Sequence, residues 1–76
     1  MGKLGVISGQ ELVSILQFFG WYEIRRRASH IIMVKTGEIV TLSIPDHKEV
    51  SKGTLRSLLR SAGISIEEFN QALKRI

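Results

Sequence analysis

The run Arg25-Arg26-Arg27-Ala28-Ser29-His30 holds the densest charge in the chain and ends on a histidine. Guanidinium groups bind phosphodiester oxygens and stabilise the charge that grows on them during transfer. Imidazole titrates near pH ~6.5 and can take the proton of a ribose 2′-hydroxyl. A cation cluster beside a titratable base is therefore the composition that an RNA-cleaving site needs, and Arg25, Arg26 and Arg27 are candidate RNA contacts. The alternative for the same residues is a solvated basic edge strand with a surface histidine. Strand alternation sends Arg26 to the face opposite Arg25 and Arg27. Pattern alone leaves the direction of His30 open: period two groups it with Ile32 and Val34, yet Ile31 and Met33 are equally apolar. Ser29 and His30 do not make a nucleophile and base, because adjacent strand residues point to opposite faces and no orienting acid lies nearby in sequence.

The second histidine, His47, lies in Pro45-Asp46-His47-Lys48. An auxiliary role on substrate and a role in structuring the loop are both open to it. Without HxH or HExxH spacing and without any cysteine, the two histidines match no recognised ligand pattern, and no metal is expected. Lys52, Arg56 and Arg60 recur every four residues as a basic stripe. Lys52 and Thr54 fall in the first turn of a predicted helix, where free N–H groups and the helix dipole attract phosphate. Lys52, Thr54 and Arg56 are thus candidate RNA-backbone contacts, while Arg60 reads as part of a solvated face. Phe18, Phe19 and Phe69 lie within helical apolar patterns and are expected in the core. Trp21 and Tyr22 could stack a base, although a packed position is commoner for such residues. No Walker loop, GxGxxG or paired-carboxylate motif occurs, so nucleotide hydrolysis and glycosidase chemistry have no support and no cofactor is expected.

These residues must be positioned by a small set of elements. Leu12, Ile15, Leu16 and Phe19 line one face of a helix over about Gly9 to Phe19, opened by a capping box of Ser8 and Glu11 and stopped at Gly20. Ile7 and Leu12 can close over its start as a hydrophobic staple. Leu55, Leu58, Leu59 and Ala62 line a second helix between Ser51 and Gly63. Phe69, Ala72, Leu73 and Ile76 line a third, with Ser65 and Glu68 as another capping box and Ile64 with Phe69 as another staple. Between the first two helices the period becomes two. Trp21 to Arg27, His30 to Lys35 and Ile39 to Ile44 read as strands, with a turn at Thr36-Gly37 and a stop at Pro45. Short connections imply an antiparallel meander. The expected fold is α+β, with helices on one face of a three-stranded sheet and the other face left to solvent or a partner.

A length of 76 residues and 43% hydrophobic composition imply one folded domain over 1–76. The absence of cysteine excludes disulfides and thiolate chemistry and makes the cytosol the default location. No apolar run approaches the roughly 20 residues of a membrane span, and the amino terminus carries no signal-peptide pattern. Met1-Gly2 is not read as a myristoylation site, since Val6 stands where that motif has Ser or Thr. The formal charge of +4 favours a polyanionic partner.

Taken in order, Ser8-Gly9-Gln10-Glu11-Leu12, Phe19-Gly20-Trp21, Arg25 to His30, Pro45-Asp46-His47, Lys52 to Leu59, Ala62-Gly63-Ile64-Ser65 and Glu68-Phe69 resemble the HicA (YcfA-like) toxin family. Each stretch is weak alone, but the ordered set is specific and covers nearly the whole chain. The resemblance implies a double-stranded-RNA-binding-domain-like fold, α-β-β-β-α, here with a short extra carboxy-terminal helix. It also implies an mRNA interferase of a toxin-antitoxin system. A histidine in a Gly-Ser-His motif would cleave the RNA, matched here by Ser29-His30, with Ser29 among the RNA-contacting residues. A HicB-type antitoxin is the implied protein partner, blocking the active surface. The motif's glycine is replaced by Ala28, which bears on the turn, because glycine reaches backbone conformations that alanine resists. A noncatalytic double-stranded-RNA-binding-like module and an inactive toxin-derived adaptor are the competing readings.

Overall fold

The computed structural model describes residues 6–75. Two sequence readings, Met1-Gly2 and the last apolar position of the third helix, Ile76, lie outside these. Element order is α1 (Gly9–Phe18), β1 (Tyr22–Arg27), β2 (His30–Val34), β3 (Leu42–Pro45), α2 (Lys52–Ala62) and α3 (Ile66–Leu73).

Local chemistry sets the helix ends. Ser8 Oγ accepts from the Glu11 N–H at 3.1 Å and the Glu11 carboxylate accepts from the Ser8 N–H at 2.9 Å. The bond from the Ser8 N–H, with that of its hydroxyl, holds the Glu11 carboxyl below its ordinary titration range. Ser65 and Glu68 repeat the arrangement at α3, and Ser51 caps α2. Each cap is worth about 1 kcal/mol. α1 and α2 end in one motif. Gly20 (φ 98) and Gly63 (φ 72) take the left-handed conformation, and the next residues, Trp21 and Ile64, donate back to Leu16 and Leu59.

The strands form an antiparallel sheet in the order β1-β2-β3. Ile31 and Met33 of β2 and Leu42 and Ile44 of β3 face the helices and share the core with Leu12, Ile15, Leu16, Leu55, Leu59 and Phe69. The helices lie over the β3 side of the sheet. β1 lies beyond their cover, and all six of its residues are exposed. The result is the expected α+β meander with helices on one face, consistent with a double-stranded-RNA-binding-domain-like fold in the order α-β-β-β-α with α3 appended.

Two expectations are corrected. The third strand begins at Leu42, not Ile39, which is fully exposed. Continuing the β2–β3 register would set Ile39 opposite Thr36, and Thr36 is taken by the turn that the Glu38 N–H closes onto the Lys35 carbonyl at 3.0 Å. Phe18 is not core but 55% exposed, because it stands one residue off the Leu12-Ile15-Leu16-Phe19 stripe. Its ring meets Phe19 edge-on, with the Arg75 guanidinium 5.9 Å from its centre.

Among the described residues, no helix is long and apolar enough to cross a membrane.

Candidate functional site

The site is built by a hairpin with one irregularity. β1 pairs with β2 as Tyr22 to Val34, Glu23 to Met33, Arg25 to Ile32, Arg26 to Ile31 and Arg27 to His30, and the register slips at Ile24. Paired residues of an antiparallel ladder share a face. Since Ile31 and Met33 point into the core, His30, Ile32 and Val34 point away from it, and Tyr22, Arg25 and Arg27 go with them. His30 is thus exposed on the open face, and the direction left ambiguous by pattern is settled by which strand residues the helices cover. Arg27 is its direct cross-strand neighbour, with Cβ atoms about 5 Å apart in such ladders, and Arg25 its diagonal one, with Cβ atoms somewhat under about 7–8 Å apart. Neither Arg25 nor Arg27 forms an ion pair among the described residues, where Arg26 alone of the three does so.

Arg26 is on the helix-facing side, as alternation required. Its Nη1 donates to Asp46 Oδ2 at 2.7 Å, and its Nε lies 3.7 Å from Glu23. Asp46 also accepts from Gln10 Nε2 at 3.0 Å. The Arg26 bond, then that from Gln10, holds the Asp46 carboxyl below its usual range. Sequence reasoning did not identify Gln10 or Asp46 as partners of this site, and no spacing signal marks them: they meet Arg26 only after the chain folds. The same segment anchors His30 through the backbone. Pro45 pairs with His30, the Asp46 N–H donates to the Ser29 carbonyl at 2.8 Å, and the His47 carbonyl accepts from the Gly9 N–H at 2.8 Å.

This clamp needs a close approach at Gly9, which is buried. A Cβ there would run into the Pro45 carbonyl oxygen and lie 3.0 Å from the Asp46 Cα. At the hairpin, Ala28 occupies the left-handed region with φ 56. It is the first of two residues between Arg27 and His30, a position that favours glycine in such turns. Ser29 follows, exposed in the turn.

The remaining candidates are placed elsewhere. Lys52, Thr54 and Arg56 begin α2, which packs through Leu55, Leu58 and Leu59 on the helical side. No hydrogen bond, ion pair or strand pairing among the described residues joins them to His30. Thr54 is partly committed to the cap, accepting from the Ser51 hydroxyl at 2.9 Å. His47 is exposed in the loop, with its carbonyl engaged by α1. Trp21 is buried in the core and Tyr22 is 48% exposed. Among the described residues no group of three or more His, Cys, Asp or Glu could hold a metal.

A two-layer α-β-β-β-α module, with a basic hairpin and a histidine on its uncovered face, is the class that fold and site define. The chain matches the model for the HicA toxin of bacterial toxin-antitoxin systems over residues 9–64. This match spans α1 through the end of α2 and leaves α3 outside. Among solved structures the chain is similar to one in a toxin-antitoxin complex from Streptococcus pneumoniae, with 36% identity and a TM-score of 0.69 over 76% of this chain and 98% of that one. Comparison with curated proteins returned no match. The chain belongs to the HicA toxin family.

Proposed function

We propose that this toxin is an endoribonuclease that cleaves mRNA with His30 as its catalytic side chain. The observation that carries the reading is the exposed His30 on the open face, with Arg27 across the ladder and Arg25 on the diagonal. The two guanidinium groups bind the phosphodiester and stabilise the charge that develops on it. The imidazole takes the 2′-hydroxyl proton as that oxygen attacks phosphorus. The bond from phosphorus to the 5′-oxygen breaks, and the imidazolium or water returns a proton to the leaving oxygen. The products are a 2′,3′-cyclic phosphate and a 5′-hydroxyl end. Arg26 supports the site through Asp46, and Ser29 contacts substrate next to His30. Lys52, Thr54 and Arg56, at the start of α2, add contacts to RNA phosphates, and His47 is an auxiliary group on substrate.

An acidic HicB-type antitoxin covering the open face would silence the site by occupying the same groups. The family match and the structural similarity to a chain of a toxin-antitoxin complex support a partner of this kind, and both components are expected in the cytoplasm. The family membership also favours the enzyme over a noncatalytic RNA-binding module. Ala28 holds a positive-φ turn position that favours glycine, and cleavage recovered only in Ala28→Gly would favour the inactive adaptor.

The test is cleavage of single-stranded mRNA by purified toxin in buffer containing EDTA. His30→Ala is expected to slow cleavage about 10²–10⁴-fold, the usual contribution of a positioned acid-base group. Cleavage by His30→Ala at the wild-type rate would overturn the mechanism.

A further inference from the structure

The register of the first hairpin brings a fourth side chain into line with the proposed site. Tyr22 stands opposite Val34, Arg25 opposite Ile32 and Arg27 opposite His30, so the β1 row on the open face runs Tyr22, Arg25, Arg27. The bulge at Ile24 makes this row. In a regular strand Tyr22 would point away from Arg25 and Arg27. The ring is 48% exposed, and its hydroxyl makes no hydrogen bond among the described residues, so the fold itself does not use this side chain fully.

We propose that Tyr22 is a base-stacking residue for single-stranded RNA, its ring receiving a nucleobase of the strand whose phosphates Arg25 and Arg27 hold. This rests on the RNA reading given above. Tyr22 sits at the level of Val34, four residues along β2 from His30, or about 13 Å at the rise of a strand. The stacked base therefore belongs to a nucleotide flanking the scissile phosphate, not to the one whose 2′-hydroxyl reacts. An aromatic face accepts any base, so Tyr22 contributes affinity and sets how the strand lies along the arginines, with little sequence preference. RNA is favoured over a protein segment as the occupant because the row combines an aromatic face with two guanidinium groups that form no ion pair among the described residues, which is how single strands are held.

The experiment uses the His30→Ala protein, so that RNA is bound without being cut. Short single-stranded RNAs carry 2-aminopurine at successive positions, and affinity and fluorescence are read together for Tyr22, Tyr22→Phe, Tyr22→Leu and Tyr22→Thr. Stacking predicts that Phe binds like Tyr, that Leu and Thr bind about tenfold more weakly, and that 2-aminopurine is quenched at one position by the aromatic versions only. The quenching readout on the unsubstituted ring holds even if a variant fails to fold. RNA binding unchanged in Tyr22→Leu, or no quenching at any position, overturns the stacking role alone and leaves Tyr22 to a protein contact. Weakened binding in Tyr22→Phe as well assigns the effect to the hydroxyl and also overturns it. Failure of the His30→Ala protein to bind any RNA overturns it together with the RNA reading.

Discussion

Ala28 is where a single residue carries the most conformational tension near the site. At φ 56 its Cβ crowds the backbone, a cost of about 1–2 kcal/mol for an L-residue, and it sits beside Ser29 and His30 in the turn that aims the imidazole. Ala28→Gly removes that cost but adds freedom to the unfolded chain, which takes back about 0.4–1 kcal/mol. The expected outcome in urea unfolding is stabilisation of up to about 1.6 kcal/mol. Ala28→Val should destabilise, because a β-branched side chain tolerates positive φ least. Destabilisation by glycine together with neutrality of valine would mean that the turn is not held as described.

At the scale of elements, the position of His30 depends on how α1 meets the segment following β3. Three contacts make that joint: the Gly9 N–H to the His47 carbonyl, Gln10 to Asp46, and the bare Cα of Gly9 against the Pro45 carbonyl. Gly9→Ala is expected to cost about 1–3 kcal/mol, the range for forcing extra volume into a packed site, since the atom it strikes belongs to the backbone. Thermal or denaturant unfolding measures it, and wild-type stability would contradict the packing at this joint. Elements differ in how far they could be read in advance. The capping boxes at Ser8 and Ser65 and the glycine stops at Gly20 and Gly63 were legible because each is closed by atoms within a few residues. The Ile24 bulge was not, since the run Tyr22 to Arg27 carries no apolar alternation for a face to be read from.

For the molecule as a whole, a charge of +4 matters through its distribution. The open face carries Arg25 and Arg27, which have no ion-pair partner among the described residues, while Arg26 is turned to the other side and paired. If the open face binds RNA, replacing Arg25 and Arg27 together by alanine should flatten the salt dependence of binding by up to about 0.7 in slope per lost phosphate contact. Arg26→Ala should leave that slope nearly unchanged and act on stability, by unpairing Asp46. Equal slopes for all three proteins would exclude Arg25 and Arg27 as phosphate ligands.

The order of elements, the helix caps, the turn at Thr36-Gly37 and the candidacy of His30 with its arginines were determined by the sequence alone, because period, capping and turn chemistry act between residues close along the chain. Tertiary structure decided the rest. Which face of β2 the helices cover set the direction of His30, and the bulge set which β1 residues stand beside it. The fold also joined Arg26 to an aspartate 20 positions away, pressed Gly9 against Pro45, and left Ile39 and Phe18 in solvent despite their apolar character. Each of these depends on contacts between distant segments, whose geometry no local pattern encodes.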